Sequence, residues 1–174
     1  MSIHAFPPQV HVLLPPTALF VVNLFRRFDR FRHGYDQAHL DAADASVRER
    51  LGERSADGVM SDALMVDNEL RLRTSGAFSF NPDGSPQATP DELSLLSMIA
   101  AMQTGHYRVA AECAVELDII QSRTMLMLAH RLGSRLAAAG LRLDTGVLQP
   151  SWTADRETPP PPRASSNEPH LHLV

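Results

Sequence analysis

The stretch TPDELSLLSMIAAM, residues 89–102, carries the strongest structural signal in the chain. Thr89 has the position of a helix N-cap, Pro90 the first helical position and Glu92 the third, which together make a capping box with the preferred proline. The apolar residues that follow surround almost the whole circumference of a helix ending near Gln103. We therefore expect this helix to lie at the centre of the fold.

Proline placement extends the map outward from this helix. No proline occurs between Thr17 and Asn81, or between Asp91 and Gln149. Because proline interrupts helices, these two windows should hold them. Cap residues, glycine stops and apolar periodicity predict five further helices, at about 18–33, 37–51, 58–73, 107–117 and 123–139. The sequence thus predicts an all-α fold, a compact bundle of about six helices in one domain over residues 17–145.

The segments outside the bundle differ in composition. Residues 1–16 predict an extended N-terminal arm, and residues 146–174 a disordered proline-rich tail. Residues 74–88 are rich in turn formers and predict a loop. In that loop Phe78 and Phe80 alternate with small residues, which also permits a short strand.

Composition excludes several classes of enzyme. All 16 residues counted as Lys+Arg are arginine, which removes Schiff-base catalysis, P-loop NTPases and ordinary kinases. The single cysteine, Cys113, leaves no internal disulfide and no multi-thiolate metal site. No established catalytic motif occurs. We therefore predict no enzymatic activity, no cofactor and no metal site, and the sequence identifies no small-molecule substrate.

The N-terminal region does not resemble a targeting segment. Prolines break it up and its arginines follow the apolar residues, which is the wrong order for a signal peptide. The apolar run 18–25 is too short to span a bilayer. We expect a cytoplasmic protein with no transmembrane segment.

The first helix predicts an interaction surface. Large apolar side chains share one face at helical spacing, and basic side chains share the other. Such a helix suits a protein partner, self-association or a membrane surface, and a solvated face is the plain alternative. The residues predicted to bind a partner are Arg26, Arg27, Arg30, Phe25 and Phe28.

An alternative is a helix-turn-helix regulator that binds DNA through the last helix. Residues 110–119 resemble the first helix and turn of such a unit, and residues 122–125 the start of a recognition helix. The predicted DNA contacts are Arg123, His130, Arg131 and Arg135, on one outward face. Residues 90–143 hold five arginines and five acids, so DNA binding would depend on concentrating the arginines on that face.

Two blocks of sequence also resemble a known family. Residues 19–35, and residues 89–143 with their Thr-Pro-Asp-Glu start and their closing Ala139-Gly140-Leu141, are similar to a family of small bacterial proteins known only as a domain of unknown function. Together the blocks cover under half of the chain. The resemblance implies a helical fold and assigns no activity.

Overall fold

A computed structural model describes residues 13–74, 76–119 and 121–144. Those residues form an all-α bundle, as predicted, and their only β-type pairing is an isolated bridge between Leu13 and Gln87. The predicted disordered tail and most of the predicted arm lie outside the described residues. The helices are α1 Pro16–Gly34, α2 Gln37–Leu51, α3 Glu53–Leu70, α4 Pro90–Gln103, α5 Tyr107–Glu116 and α6 Ser122–Ala138.

Helix α4 is the centre of the bundle, which confirms the prediction. Every residue from 94 to 102 is buried, and α1, α5 and α6 all pack against α4. The capping box is present, because the Thr89 hydroxyl accepts a hydrogen bond from the Glu92 amide and the Glu92 carboxylate accepts one from the Thr89 amide. Helix α3 packs between α2 and α6, and α1 lies across α2 and α3.

Helix α3 begins earlier than predicted. Gly58 was expected near its start, yet α3 begins at Glu53, directly after Gly52. Gly52 has a φ of 75° and ends α2 while also standing at the N-cap of α3, a backbone conformation that favours glycine. Gly58 therefore lies inside the helix, where the guanidinium of Arg135 covers it.

The start of α1 also differs from the prediction. Helix α1 begins at Pro16 rather than near residue 18, because proline at the first helical position lacks only an N–H that would have no helical partner. Residues 76–88 form a loop, as predicted, and the short strand that the sequence permitted does not form at Phe78 and Phe80. The backbone amide of Ser79 instead donates to the Asp91 carboxylate at 2.8 Å, and that of Asn81 donates to Glu92 at 3.0 Å. In the described ranges, no helix combines the length and apolar character needed to cross a membrane.

Candidate functional site

Arg26 lies inside the protein and not on the outer face of α1, so its predicted partner-binding role is wrong for this structure. Its Nε donates to Glu92 Oε1 at 2.7 Å and its Nη2 to Glu92 Oε2 at 3.0 Å. The remaining N–H groups donate to Asn23 Oδ1 and to the carbonyl oxygens of Ser85 and Gln87. All five donors of the guanidinium are therefore used, which makes this arginine structural.

The other predicted residues of α1 divide between core and surface. Phe25 and Phe28 are buried, with ring centroids 6.0 Å apart, so they cannot contact a partner in this conformation. Arg27 donates to Asp83 Oδ2 at 2.9 Å and to the Ala42 carbonyl at 2.8 Å. Only Arg30 of the predicted set is exposed without an ion pair in the described part of the chain. Of the predicted basic face, Arg30 is thus free to bind a partner, and Arg27 is already paired with Asp83.

The arginines of α6 also have an internal partner. Asp62 of α3 is buried, and its two carboxylate oxygens accept hydrogen bonds from Arg131 Nη2 at 2.7 Å and Arg135 Nε at 2.6 Å. Both arginines remain about half-exposed to solvent. A buried carboxylate needs a compensating cation, so these two predicted DNA contacts hold α3 and α6 together.

The remaining predicted DNA contacts point toward different surroundings. Arg123 is exposed and makes no ion pair within the described residues. His130 is exposed, and its Nδ1 lies 3.4 Å from the Met102 carbonyl oxygen, near the ring of Tyr107. The four residues therefore do not form one free basic surface.

The turn between α5 and α6 spans residues 117–121, close to the 118–122 that the predicted helix bounds leave between them. Asp118 has a φ of 53°, and two hydrogen bonds, from the Asp118 amide to Val115 and from the Ile119 amide to Ala114, make a Schellman motif. The Asp118 carbonyl accepts hydrogen bonds from the amide and hydroxyl of Thr74. The segment after α3 thus packs on this turn.

An apolar groove runs between α3 and α6, and we call it the α3–α6 groove. Three large apolar side chains in it are exposed: Leu64 by 41%, Met65 by 44% and Met127 by 54%. The groove has a volume of about 430 Å³. Its lining residues are Ser61, Leu64, Met65, Asn68, Glu69, Thr124, Met127, Leu128 and Arg131.

A second cavity, of about 310 Å³, lies on a different side of α3, and we call it the Asp67 cavity. It is bounded by the end of α1, the end of α3 and the segment 76–80, and Asp67 lines it. Asp67 is only 4% exposed and pairs through Oδ2 with Arg32 Nη1. Its Oδ1 has no hydrogen-bond partner among the described residues. Burial raises the pKa of the Asp67 carboxyl, and the nearby charge of Arg32 opposes that rise.

Cys113 lies within the core, as expected for a small apolar residue. It is 1% exposed. Burial raises the pKa of its thiol to about 12, and Glu116 and Glu112 add to the rise. Across residues 13–74, 76–119 and 121–144, no three His, Cys, Asp or Glu side chains form a group that would hold a metal ion.

Apart from Arg131, the residues that line the two cavities were not predicted as site residues, and neither was Asp62. Asp62 and Asp67 each adjoin the apolar seam of α3, and acids beside a buried seam are an available signal for buried ion pairs. Met65 and Met127 lie away from the seams of their helices, and apolar residues at such positions are a weaker signal for a binding surface. Nothing in the sequence indicated that these positions from distant helices would meet.

Comparisons with known proteins do not assign this site. No family model, curated protein or solved structure matches the chain. The resemblance of residues 19–35 and 89–143 to a bacterial family therefore stays a prediction.

Proposed function

We propose that this protein is a non-enzymatic interaction module whose α3–α6 groove binds an acidic, amphipathic helix of a partner protein. The observation that carries the proposal is the clustering of Leu64, Met65 and Met127, which are exposed side by side in one groove. Isolated apolar residues on a surface need no explanation, whereas a contiguous apolar groove with a polar rim is typical of a binding site. A helix lying in a hydrophobic groove is a common mode of recognition.

The charges around the groove favour an acidic occupant. Arg123 lies one turn before Met127 on the same side of α6, and Arg131 lines the groove with part of its charge offset by Asp62. Glu69 is the one acid among the lining residues, and its Oε2 is buried without a hydrogen-bond partner in the described part of the chain. The partner is therefore expected to place acidic groups opposite the arginines and one hydrogen-bond donor opposite Glu69.

A second copy of this chain fits the groove less well. A symmetric pairing sets the same patch of both copies face to face. It would place Arg123 and Arg131 of both copies around one interface, where Glu69 of each copy is the one lining acid, and an excess of like charge opposes association.

DNA binding through α6 is the competing function. Its support is the exposed Arg123 and the helix–turn–helix order of α5 and α6. Its weakness is that one carboxylate, that of Asp62, offsets part of the charge of Arg131 and Arg135.

We place the interaction module in the cytoplasm as part of the same proposal, since its single cysteine needs no oxidising compartment.

The test uses a labelled peptide of about 18 residues, with leucines at helical spacing and glutamates elsewhere. We expect fluorescence anisotropy to show binding to the wild type and at least tenfold weaker binding to Met65→Lys. The matched control is Val115→Lys, because Val115 is exposed on α5 away from the groove lining. A version of the peptide with lysine in place of glutamate should bind at least tenfold more weakly.

Three outcomes would overturn the proposal. The first is equal binding of the acidic and basic peptides, and the second is binding that Met65→Lys leaves unchanged. The third is salt-dependent binding of duplex DNA that Arg123→Ala weakens, which would support the DNA-binding function instead. Arg123 is the residue to change, because removing Arg131 and Arg135 would leave the buried Asp62 carboxylate without a cation and would destabilise the protein.

A further inference from the structure

The Asp67 cavity has the size of a small-molecule site. Its volume of about 310 Å³ lies at the lower end of the range of roughly 300–1,000 Å³ for ligand pockets. It combines apolar walls with a few convergent charged groups, as such pockets do. It adjoins the surface at Arg71 and Gly76, which are both exposed, so a ligand has a route in.

Asp67 supplies an unmet acceptor at this cavity. Its side chain is 4% exposed, and only Oδ2 is paired, with Arg32. Oδ1 is buried and has no hydrogen-bond partner in the described ranges. A buried carboxylate oxygen without a donor is unfavourable, and native structures contain few of them. A bound molecule that carries a hydrogen-bond donor would satisfy this oxygen.

Arg71 supplies a cation at the mouth of the same cavity. Its side chain is exposed and makes no hydrogen bond or ion pair with any other described residue. Arg32, by contrast, already donates to Asp67 and to Asp29. A guanidinium matches the two oxygens of a carboxylate, so Arg71 suits an acidic group on the ligand.

An aromatic wall completes the cavity. The rings of Phe78 and Phe80 stack with their centroids 4.3 Å apart. Arg73 fixes this wall, because its guanidinium lies 5.7 Å from the centroid of Phe78 while Nη1 donates to Asp91 at 2.8 Å. A flat or bulky apolar group would pack against these rings.

We propose that the Asp67 cavity binds a free α-amino acid with an aromatic or large apolar side chain. The ammonium donates to Asp67 Oδ1, the carboxylate accepts from Arg71, and the side chain packs against Phe78 and Phe80. A simple cation fits less well, because Arg32 and Arg71 also face the cavity. A simple anion leaves Asp67 Oδ1 without a donor. This site goes beyond the proposed interaction groove and does not depend on it.

Three matched probes test the proposal on the full chain: L-phenylalanine, phenethylamine, which lacks the carboxylate, and 3-phenylpropanoate, which lacks the amine. Titration followed by ¹⁵N–¹H NMR should show phenylalanine shifting the amides of Leu70, Arg71 and Phe78. Each analogue should bind at least tenfold more weakly than phenylalanine. These losses are what one missing charged contact at each end of the ligand predicts.

Two variants separate the contacts. Asp67→Asn should weaken phenylalanine and phenethylamine at least tenfold while leaving 3-phenylpropanoate unchanged. Arg71→Ala should weaken phenylalanine and 3-phenylpropanoate, and its exposed position keeps the fold intact even if Asp67→Asn proves unstable. Arg142→Ala, at an exposed arginine outside the cavity lining, is the control. The proposal is overturned by no shift with about 10 mM phenylalanine, by analogues that bind as well as phenylalanine, or by variants that change nothing.

Discussion

Arg26 of α1 and Glu92 of α4 form a salt bridge in which the side chains are 1% and 0% exposed. Both oxygens of Glu92 accept from the guanidinium, and they also accept from the backbone amides of Thr89 and Asn81. One carboxylate thus closes the capping box of α4, fixes the preceding loop and joins α4 to α1. The bridge is stable as a unit because every donor and acceptor in it is used.

Arg26→Met should lower the free energy of unfolding by about 3–5 kcal/mol, because it leaves the buried Glu92 charge uncompensated. Arg27→Met is the matched control, since Arg27 pairs with Asp83 near the surface and such pairs contribute about 0–1 kcal/mol. Urea unfolding at pH 7 measures both variants. Equal losses of unfolding free energy in the two variants would show that the buried Arg26–Glu92 pair contributes no more to stability than the surface pair of Arg27.

Two helical glycines should respond in opposite ways to alanine. A Cβ at Gly133 would lie 3.2 Å from the Ile99 carbonyl oxygen of α4, so Gly133→Ala should destabilise the protein by about 1–3 kcal/mol through overpacking. A Cβ at Gly58 would meet the end of the flexible, half-exposed Arg135 side chain. Gly58→Ala should be neutral or stabilising by up to about 1 kcal/mol, from helix propensity. Thermal unfolding of the two variants measures both effects. A Gly133→Ala variant more stable than the wild type would contradict the close contact between α4 and α6.

The Asp67 pair predicts a definite pH dependence. Burial raises the pKa of Asp67 above 3.8, while Arg32 and Arg71 oppose the rise and Asp29 adds to it. The native state therefore keeps this proton to a higher pH than the unfolded chain, and the contribution of Asp67 to stability falls as the pH rises through that interval. The free energy of unfolding of the wild type minus that of Asp67→Asn should decrease from about pH 4 upward and then level off. Urea unfolding of both proteins at a series of pH values from about 4 upward measures this difference. A difference that increases with pH would contradict the raised pKa of Asp67.

Cys113 should be unreactive in the native protein. Its thiol is buried with a pKa of about 12, and the thiolate is the reactive form. Alkylation by iodoacetamide at pH 8 should be at least about 100-fold slower than in the same protein unfolded in urea. Mass spectrometry follows the reaction, and similar rates in the two states would mean that the thiol is accessible.

Asp62 pairs with both Arg131 and Arg135. Removing the two arginines should destabilise the protein more than removing Asp62. Replacing Arg131 and Arg135 together by alanine leaves a buried carboxylate uncompensated and should cost about 3–5 kcal/mol. Asp62→Ala leaves two arginines that water can solvate, because both are half-exposed, and should cost less than half as much. Chemical unfolding compares the two, and a larger loss for Asp62→Ala would reverse this account.

Local chemistry made most of the helices predictable. The capping box at Thr89 and the all-round apolar character of α4 act within a few residues, so they were visible in the sequence and are confirmed. The start of α3 was missed because Gly58 resembles a boundary residue. Inside α3 it lies beneath the guanidinium of Arg135, a residue 77 positions further along the chain.

The sequence by itself determined the all-α class, the central place of α4 and the absence of lysine chemistry, since these depend on composition and short-range periodicity. Only the tertiary structure decided which arginines are free. Arg26, Arg131 and Arg135 occupy positions that a single amphipathic helix presents to solvent, yet Glu92 and Asp62 from other helices neutralise them. Periodicity predicts which face of a single helix is buried. Whether an arginine on that helix is paired depends on the particular side chain that a distant helix brings beside it.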